Sequence, residues 1–483
     1  MQIILVVPNV YVINYLFFKL YKKIQISIDI YHNKLTAKEK LLVWNRTRYG
    51  NNQIVIGTYQ ILFLSFFKLG MIILDDEHHL FYKTKNFNLL QCRDVAIIRS
   101  WKENIPIILL SQTPSIETIK NIINNKYKKI KIIKKKKYTN RKINKHYFFL
   151  KNRHIYGCFL IKLLKKINYF LLKNKKIIII IDNNTYYCNV LKCSFCNFVM
   201  HCKICNHVYI LYNNNMICYN CNKYIPTPVT CINCKSISLL PCSFGKYYIK
   251  TFLLILFPKY KISVLNKFDK KKFCFFKKHI FNIKKDIFIL HEHYVTYAKG
   301  IKASLILFLS LNDLFFKKDF RTTYNLSILY FNIINTFCDF KQTFIIQTLN
   351  DQFNFIKKIF NSQSYICFLK KILKKRFLLK LPPYVNEVII RVKYTKQEHE
   401  YYFINMLKNE IIKKINKKKY NVFIMGPYIS FIDYKNCNFI NLLIHSKYYL
   451  LLNRLLKNIL LKFFNKSISK KNIWFIDVNP ISI

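Results

Sequence analysis

Four short apolar runs punctuate the first 118 residues: Ile3-Ile-Leu-Val-Val7, Gln53-Ile-Val-Ile56, Met71-Ile-Ile-Leu74 and Ile105-Pro-Ile-Ile-Leu-Leu110. Each is short and lacks strict apolar–polar alternation, so each reads as a strand buried on both faces, the form strands take in a parallel sheet covered by helices. The segments between them have helical periodicity, and Ile3 to Thr118 is therefore expected to be an α/β layer. Between Lys126 and Lys145 there are eleven basic residues and no acidic one, the composition of a solvated linker. Ile177 to Ile181 then opens a second α/β unit, which a cysteine-rich stretch interrupts and which resumes near Phe252 and runs to about Thr348. A last unit extends from Leu349 to Ile483, with Pro382-Pro383 as a break in it.

A chain of 483 residues exceeds what one hydrophobic core serves, in agreement with two or three packed units and a smaller module. The stretch Met1 to Phe18 is uncharged, but it has no basic leader and no small-residue cleavage site. Pro8-Asn9 interrupts it where a buried strand would hand over to a helix. No run of roughly 20 apolar residues, the length that crosses a bilayer, occurs, so no membrane association is expected. Sixteen cysteines without an export signal suggest reduced thiols and a cytoplasmic location, with clustered cysteines binding metal.

Charge changes the picture less than its size suggests. The net charge of +59 is that of a nucleic-acid footprint, yet the wealth of Lys, Asn, Ile, Phe and Tyr also fits drift toward AT-rich codons in a reduced bacterial genome, such as that of an endosymbiont. Polyanion affinity follows from either origin, whereas specificity follows from neither.

The most specific chemistry lies in four CxxC pairs within 42 residues: Cys193/Cys196, Cys202/Cys205, Cys218/Cys221 and Cys231/Cys234. A CxxC turn sets two thiolates about a metal's width apart, and two such knuckles complete the tetrahedral four-cysteine shell of a closed zinc site. Eight ligands make two sites. Sequential, cross-braced and nested pairings all satisfy the spacing. The twelve residues between Cys205 and Cys218 suit a β-hairpin, which would join the two inner pairs in one site and leave the outer pairs to share the other. Neither site would keep an open coordination position, so both zinc ions are expected to hold the fold. His201 and His207 are expected to be bystanders.

The order of further motifs resembles the primosomal protein N′ family, the replication-restart helicases known as PriA. Ile72-Ile-Leu-Asp75-Asp76-Glu77-His78 resembles the family's DEEH box, Cys92-Arg93-Asp94-Val-Ala96 its ARD segment, and Ser111-Gln-Thr113-Pro-Ser-Ile-Glu117-Thr118 its SATPS motif. Ala298-Lys-Gly300, Asp319-Phe-Arg321, Leu381-Pro-Pro-Tyr384, Gly426-Pro427 and Ile476-Asp477-Val-Asn-Pro480 follow in family order. The resemblance implies two RecA-like helicase lobes, the first incomplete, an inserted double-zinc module with four cysteines per metal, and a C-terminal α+β domain. The corresponding boundaries are 1–120 for lobe one, 121–150 for the linker, 151–190 and 243–348 for lobe two, 191–242 for the module and 349–483 for the last domain. It implies the nested pairing, with Cys193, Cys196, Cys231 and Cys234 on one zinc and Cys202, Cys205, Cys218 and Cys221 on the other. It also makes Asp75 the magnesium-holding acid, with Asp76 standing where the family has its catalytic glutamate. The partners it implies are single-stranded or forked DNA, primosome proteins and single-stranded-DNA-binding protein.

The chain departs from the family at its motor. No G-x-x-x-x-G-K-[ST] loop occurs, since no two of the seven glycines are five positions apart. Without that phosphate cradle, ATP and magnesium are not expected to be productive cofactors. The resemblance places Met1 just before Val6-Val-Pro8, a segment that follows the cradle in the family. The arginine of its GTR segment is Tyr59, its NRRGY segment reads Asn183 to Tyr187, its GTQ has become His293-Tyr-Val295, and no arginine occurs between Arg321 and Arg376. A missing arginine finger alone costs phosphoryl transfer a factor of roughly 10³ or more. The expectation is a DNA-binding restart protein without helicase activity, and none of Asp75, Asp76, Glu77 or His78 is expected to be more than a remnant catalytic group. The alternative is an active ATP-dependent 3′–5′ helicase whose amino-terminal part is encoded upstream or in a separate polypeptide. A decaying gene is a third reading, against which the intact spacing of eight cysteines speaks.

Overall fold

The computed structural model describes residues 1–483 except 85–89, 131–143, 150–154, 157, 182–190, 194, 197, 204–208, 213–214, 219–222, 242–244, 266–285, 292–294, 296–300, 302, 310–319, 338–341, 349–352, 363, 395–397, 419–420, 433–436, 464–472 and 481–483. The chain forms two compact units. One comprises Met1–Lys129, Leu373–Tyr428 and Ile440–Ile483, and the other Ile130–Ile372 and Ile429–Phe439.

The first unit opens with a five-stranded parallel sheet of β1 (Gln2–Val6), β2 (Ile28–Tyr31), β3 (Ile54–Gly57), β4 (Leu69–Leu74) and β5 (Ile107–Leu109), in the order β2-β3-β1-β4-β5. Ile4, Val6, Val55, Ile56, Ile72 and Leu74 are fully buried, which is why these runs are apolar on both faces. Helices α1 (Val10–Tyr21), α2 (Ala37–Arg48), α3 (Cys92–Lys102) and α4 (Ile116–Ile123) complete the layer. Three of these helix starts are fixed by side chains, that of α1 by the Asn9 side-chain oxygen, which accepts from the Val12 amide at 3.2 Å. Thr36 and Glu39 form a reciprocal capping box at α2, and the Ser115 hydroxyl accepts from the Thr118 amide at α4. Gly57 ends β3 with no room for a side chain, since a Cβ there would lie 2.1 Å from the Tyr31 carbonyl oxygen.

The same unit carries most of a four-stranded sheet in the order Val422–Ile432, Cys437–Ser446, Asn386–Tyr394 and Trp474–Val478, the last two antiparallel. Helices Glu398–Lys418 and Tyr449–Phe463 bury Phe403, Leu407, Leu452, Ile459 and Phe463, an α+β arrangement of segregated sheet and helices.

In the other unit a six-stranded parallel sheet has the order Ile262–Leu265, Ile287–His291, Ile177–Ile181, Leu305–Leu309, Thr343–Thr348, Asn144–Phe149. The central runs Ile177–Ile181, Ile287–His291 and Leu305–Leu309 are buried at every position. Asn144 and Lys145 are already in a strand, so the last residues of the lysine-rich run are ordered backbone instead of linker. Between Ile181 and helix Lys246–Leu256 the cysteine-rich stretch folds as two small antiparallel sheets. One pairs Leu191–Cys193 with Leu239–Pro241, and the other joins Ile210–Tyr212, Asn215–Ile217 and Tyr224–Pro226.

Candidate metal centre and acid box

Antiparallel pairing of Leu191–Cys193 with Leu239–Pro241 brings the two ends of the cysteine stretch together. That pairing sets the first CxxC knuckle against the last. The sulfurs of Cys193, Cys196, Cys231 and Cys234 all lie within 4.8 Å of one another, with Cys193 3.5 Å from Cys234 and Cys196 3.6 Å from Cys231. Four thiolates about 2.3 Å from one zinc would be separated by about 3.8 Å along each edge of the tetrahedron, so the cluster fits a metal of that size. Chain turns hold it. The Cys193 amide donates to the Phe198 carbonyl, the Cys231 amide to Ser236 and the Lys235 amide to Cys231, each at 2.8 Å. Lys235 takes a left-handed conformation, φ +55°, to close the second knuckle.

Ser236, which the cysteine spacing did not single out, places its hydroxyl 3.1 Å from the sulfurs of both Cys193 and Cys234. Burial pushes the Cys193 thiol up, but the Ser236 hydroxyl and the knuckle amides outweigh it and bring the group down to about 6. The same hydroxyl lowers Cys234, whereas burial pushes Cys231 up to about 11. A hydroxyl after a CxxC is too common a feature to signal this role in sequence.

Of the inner pairs, Cys202 and Cys218 are buried together with Leu191, Met200, Tyr209 and Met216. The hairpin of Ile210–Tyr212 and Asn215–Ile217 lies between them in sequence. Cys205, Cys221 and His207 lie outside the described residues, as do Asn183–Tyr187, His293, Ala298–Gly300 and Asp319.

The acid box follows β4, at the carboxyl end of a parallel strand, where open α/β sheets place their ligands. Asp75 donates its amide to the Val6 carbonyl at 2.9 Å and Asp76 takes φ +50°. Burial raises the Asp75 carboxyl pKa. Glu77 is turned inward instead. Its Oε1 accepts from the Ser115 amide at 2.6 Å, and its Oε2 lies 3.3 Å from Arg93 Nη1. Arg93 also donates to the Ser115 hydroxyl at 2.6 Å and pairs with Glu117 at 3.3 Å. Burial opposes the Arg93 charge, but Glu117, Asp94 and Glu77 together push its pKa up. His78 lies 2.8 Å from the Ser111 hydroxyl through Nδ1 and 3.3 Å from Thr113 Oγ1 through Nε2. Burial lowers its pKa to about 4, so the ring is neutral near pH 7. Three separated sequence segments thus converge on one strand end. Asp75 and Asp76 stand directly at that end, and their carboxylates are the oxygen ligands a hard divalent cation takes.

Asp477, in the terminal motif, is buried and paired with Lys83 at 2.8 Å and Arg391 at 3.3 Å. Among the described residues no helix is long and apolar enough to cross a membrane.

No family model matches the chain. Among known proteins it is similar to the replication restart protein PriA of Buchnera aphidicola subsp. Schizaphis graminum, 33% identical over 99% of this chain and 67% of the relative. The PriA of Buchnera aphidicola subsp. Acyrthosiphon pisum is 32% identical over 99% and 66%, and that of Haemophilus influenzae 27% identical over 81% and 54%. The chain thus spans about two thirds or less of the length of these relatives. Partial matches among solved structures include RecG bound to a three-way DNA junction (TM-score 0.39, 10% identity, 78% of this chain and 40% of that one) and yeast Dbp5 bound to RNA and ADP BeF3 (TM-score 0.40, 12% identity, 78% and 80%). The parallel-sheet architecture stands on the strand orders themselves. With a third of its residues shared with the first of these Buchnera aphidicola proteins along nearly its whole length, the chain belongs to the PriA family of replication restart proteins.

Proposed function

We propose that this chain binds single-stranded or forked DNA at stalled or abandoned replication forks and helps reload the replication machinery there, acting in the bacterial cytoplasm with primosome proteins and single-stranded-DNA-binding protein. The observation that carries the reading is the PriA likeness over 99% of the chain, joined to a sequence without a glycine-rich phosphate loop. The binding class is favoured over the motor class because the acid box has no cradle to work against in these 483 residues.

Two zinc ions belong to this reading. Cys193, Cys196, Cys231 and Cys234 would hold one, and Cys202, Cys205, Cys218 and Cys221 the other. A closed four-cysteine zinc site supplies folding energy and no reaction chemistry. This chain's own part is to present paired knuckles and to hold the thiolates, with the Ser236 hydroxyl, 3.1 Å from Cys193 and Cys234, offering its one proton to either of them.

The second reading, an active helicase completed by another polypeptide, is favoured by one observation. The junction of Glu77, Arg93, Ser115 and Glu117 behind Asp75 is intact. A competent acid at a strand end would then await its phosphate cradle.

Lysine content alone gives affinity for any polyanion, so the decisive comparison is between DNA shapes at fixed salt. Fluorescence anisotropy with the zinc-loaded chain is expected to show at least about tenfold tighter binding to a fork with a single-stranded arm than to blunt duplex of equal length at about 150 mM salt. Equal affinity for both would reduce the +59 charge to unspecific attraction and sink the restart reading.

A further inference from the structure

Lys83 closes the turn Leu80–Tyr82 that follows the acid box. Its ammonium lies 2.8 Å from Asp477 Oδ1 and donates to the carbonyls of Val478 and Asn479. Arg391 meets the other oxygen of that carboxylate at 3.3 Å. The three side chains are at most 7% exposed. One residue earlier, the fully buried Tyr82 places its hydroxyl 3.0 Å from the Val6 carbonyl oxygen and 2.6 Å from that of Asp75. Consecutive side chains therefore grip the backbone of the acid box on one side and the terminal strand Trp474–Val478 on the other.

A buried ammonium persists only where acceptors replace its water, and those that Lys83 uses belong to the terminal strand and the residue that follows it. Shifting that strand would take the acceptors away from the charge. Lys83 must then move with the strand or pull out of the protein, and Tyr82, one peptide link away, is drawn with it.

We infer that Lys83 makes the acid-box turn and the strand Trp474–Val478 one cooperative element, so that a ligand displacing the terminal strand loosens Asp75–Tyr82. Reciprocally, whatever binds at the acid box steadies the strand. The coupling is independent of whether the acid box ever meets a nucleotide.

Hydrogen exchange on the full chain tests it. In Lys83→Met, which keeps Asp477 paired with Arg391, the amides of Glu77, His79 and Tyr82 are expected to exchange at least about tenfold faster, together with those of Trp474–Val478. Strand Ile177–Ile181 of the other unit serves as the unchanged reference. Lys120→Ala removes a contact to the Pro383 carbonyl at 2.7 Å that does not involve the acid-box turn, and is expected to leave Glu77, His79 and Tyr82 as they were. Should Lys83→Met not fold, Lys83→Gln, which keeps a donor for the carbonyls but loses the ion pair with Asp477, is expected to speed the same amides in both segments by a smaller factor. Faster exchange of the terminal strand with the acid-box amides unmoved would overturn the inference, as would equal loosening of those amides by Lys120→Ala.

Discussion

His78 keeps a neutral ring because burial takes away the water that a charged imidazolium would need. Its pKa falls from 6.5 unfolded to about 4 folded. Between those values the unfolded chain takes up a proton that the folded chain refuses. The stabilisation is therefore complete above about pH 6.5 and is lost as the pH falls toward 4, by about 2 kcal/mol at about pH 5. His78→Gln is expected to flatten this dependence. Denaturant midpoints compared at about pH 7 and pH 5 check it, and equal slopes for variant and parent would contradict it. At Lys235 the backbone strain is local, since a left-handed lysine costs about 1 kcal/mol or more. Lys235→Gly is expected to stabilise the cysteine module by about 1 kcal/mol, read as a higher unfolding midpoint of zinc-loaded protein. Sequence showed the ligand-type residues but not their supports. Ser236 reaches Cys193 43 positions away and Arg93 reaches Ser115 22 positions away, and no spacing rule encodes such distances.

At the scale of elements, the apolar runs were legible because burial on both faces leaves no polar position. Expected runs 3–7, 53–56, 71–74 and 105–110 match strands Gln2–Val6, Ile54–Gly57, Leu69–Leu74 and Ile107–Leu109 closely. β2 was not visible. Its sequence Ile-Asp-Ile-Tyr carries an acid that is satisfied only in the fold, where Asp29 accepts from Asn52 and pairs with Arg46. Strand Asn144–Phe149 was hidden at the end of a lysine-rich run, where local composition speaks for solvent and sheet pairing overrides it. The cysteine module is expected to depend on metal more than on its core. Among the described residues its buried core is small, centred on Met200, Tyr209 and Met216, and structural zinc contributes about 10 kcal/mol or more to folding in modules of this kind. Elemental analysis is expected to give two zinc per chain, and one in Cys196→Ala. A parent value near zero would contradict the centre.

For the whole molecule, family and fold class could be read from motif order, but the reading stops where function needs a partner surface. Fifty-two per cent apolar residues and 81 basic ones describe both a packed core and a polyanion binder, and composition cannot say which lysines face DNA. The acid box illustrates the same limit. In sequence, Asp75, Asp76, Glu77 and His78 form one motif. In the fold, Glu77 and His78 are bound into the junction with Arg93, Ser111 and Ser115, while the two aspartates stand at the strand end itself. Those aspartates act on ATP only if a phosphate cradle faces them.

The most direct test of the central claim, a fork-binding protein without a motor of its own, is ATP turnover by the purified zinc-loaded chain in the presence of forked DNA. Turnover is expected to stay at background with and without the fork. Fork-stimulated hydrolysis that Asp75→Ala abolishes would contradict the account and make this chain an enzyme.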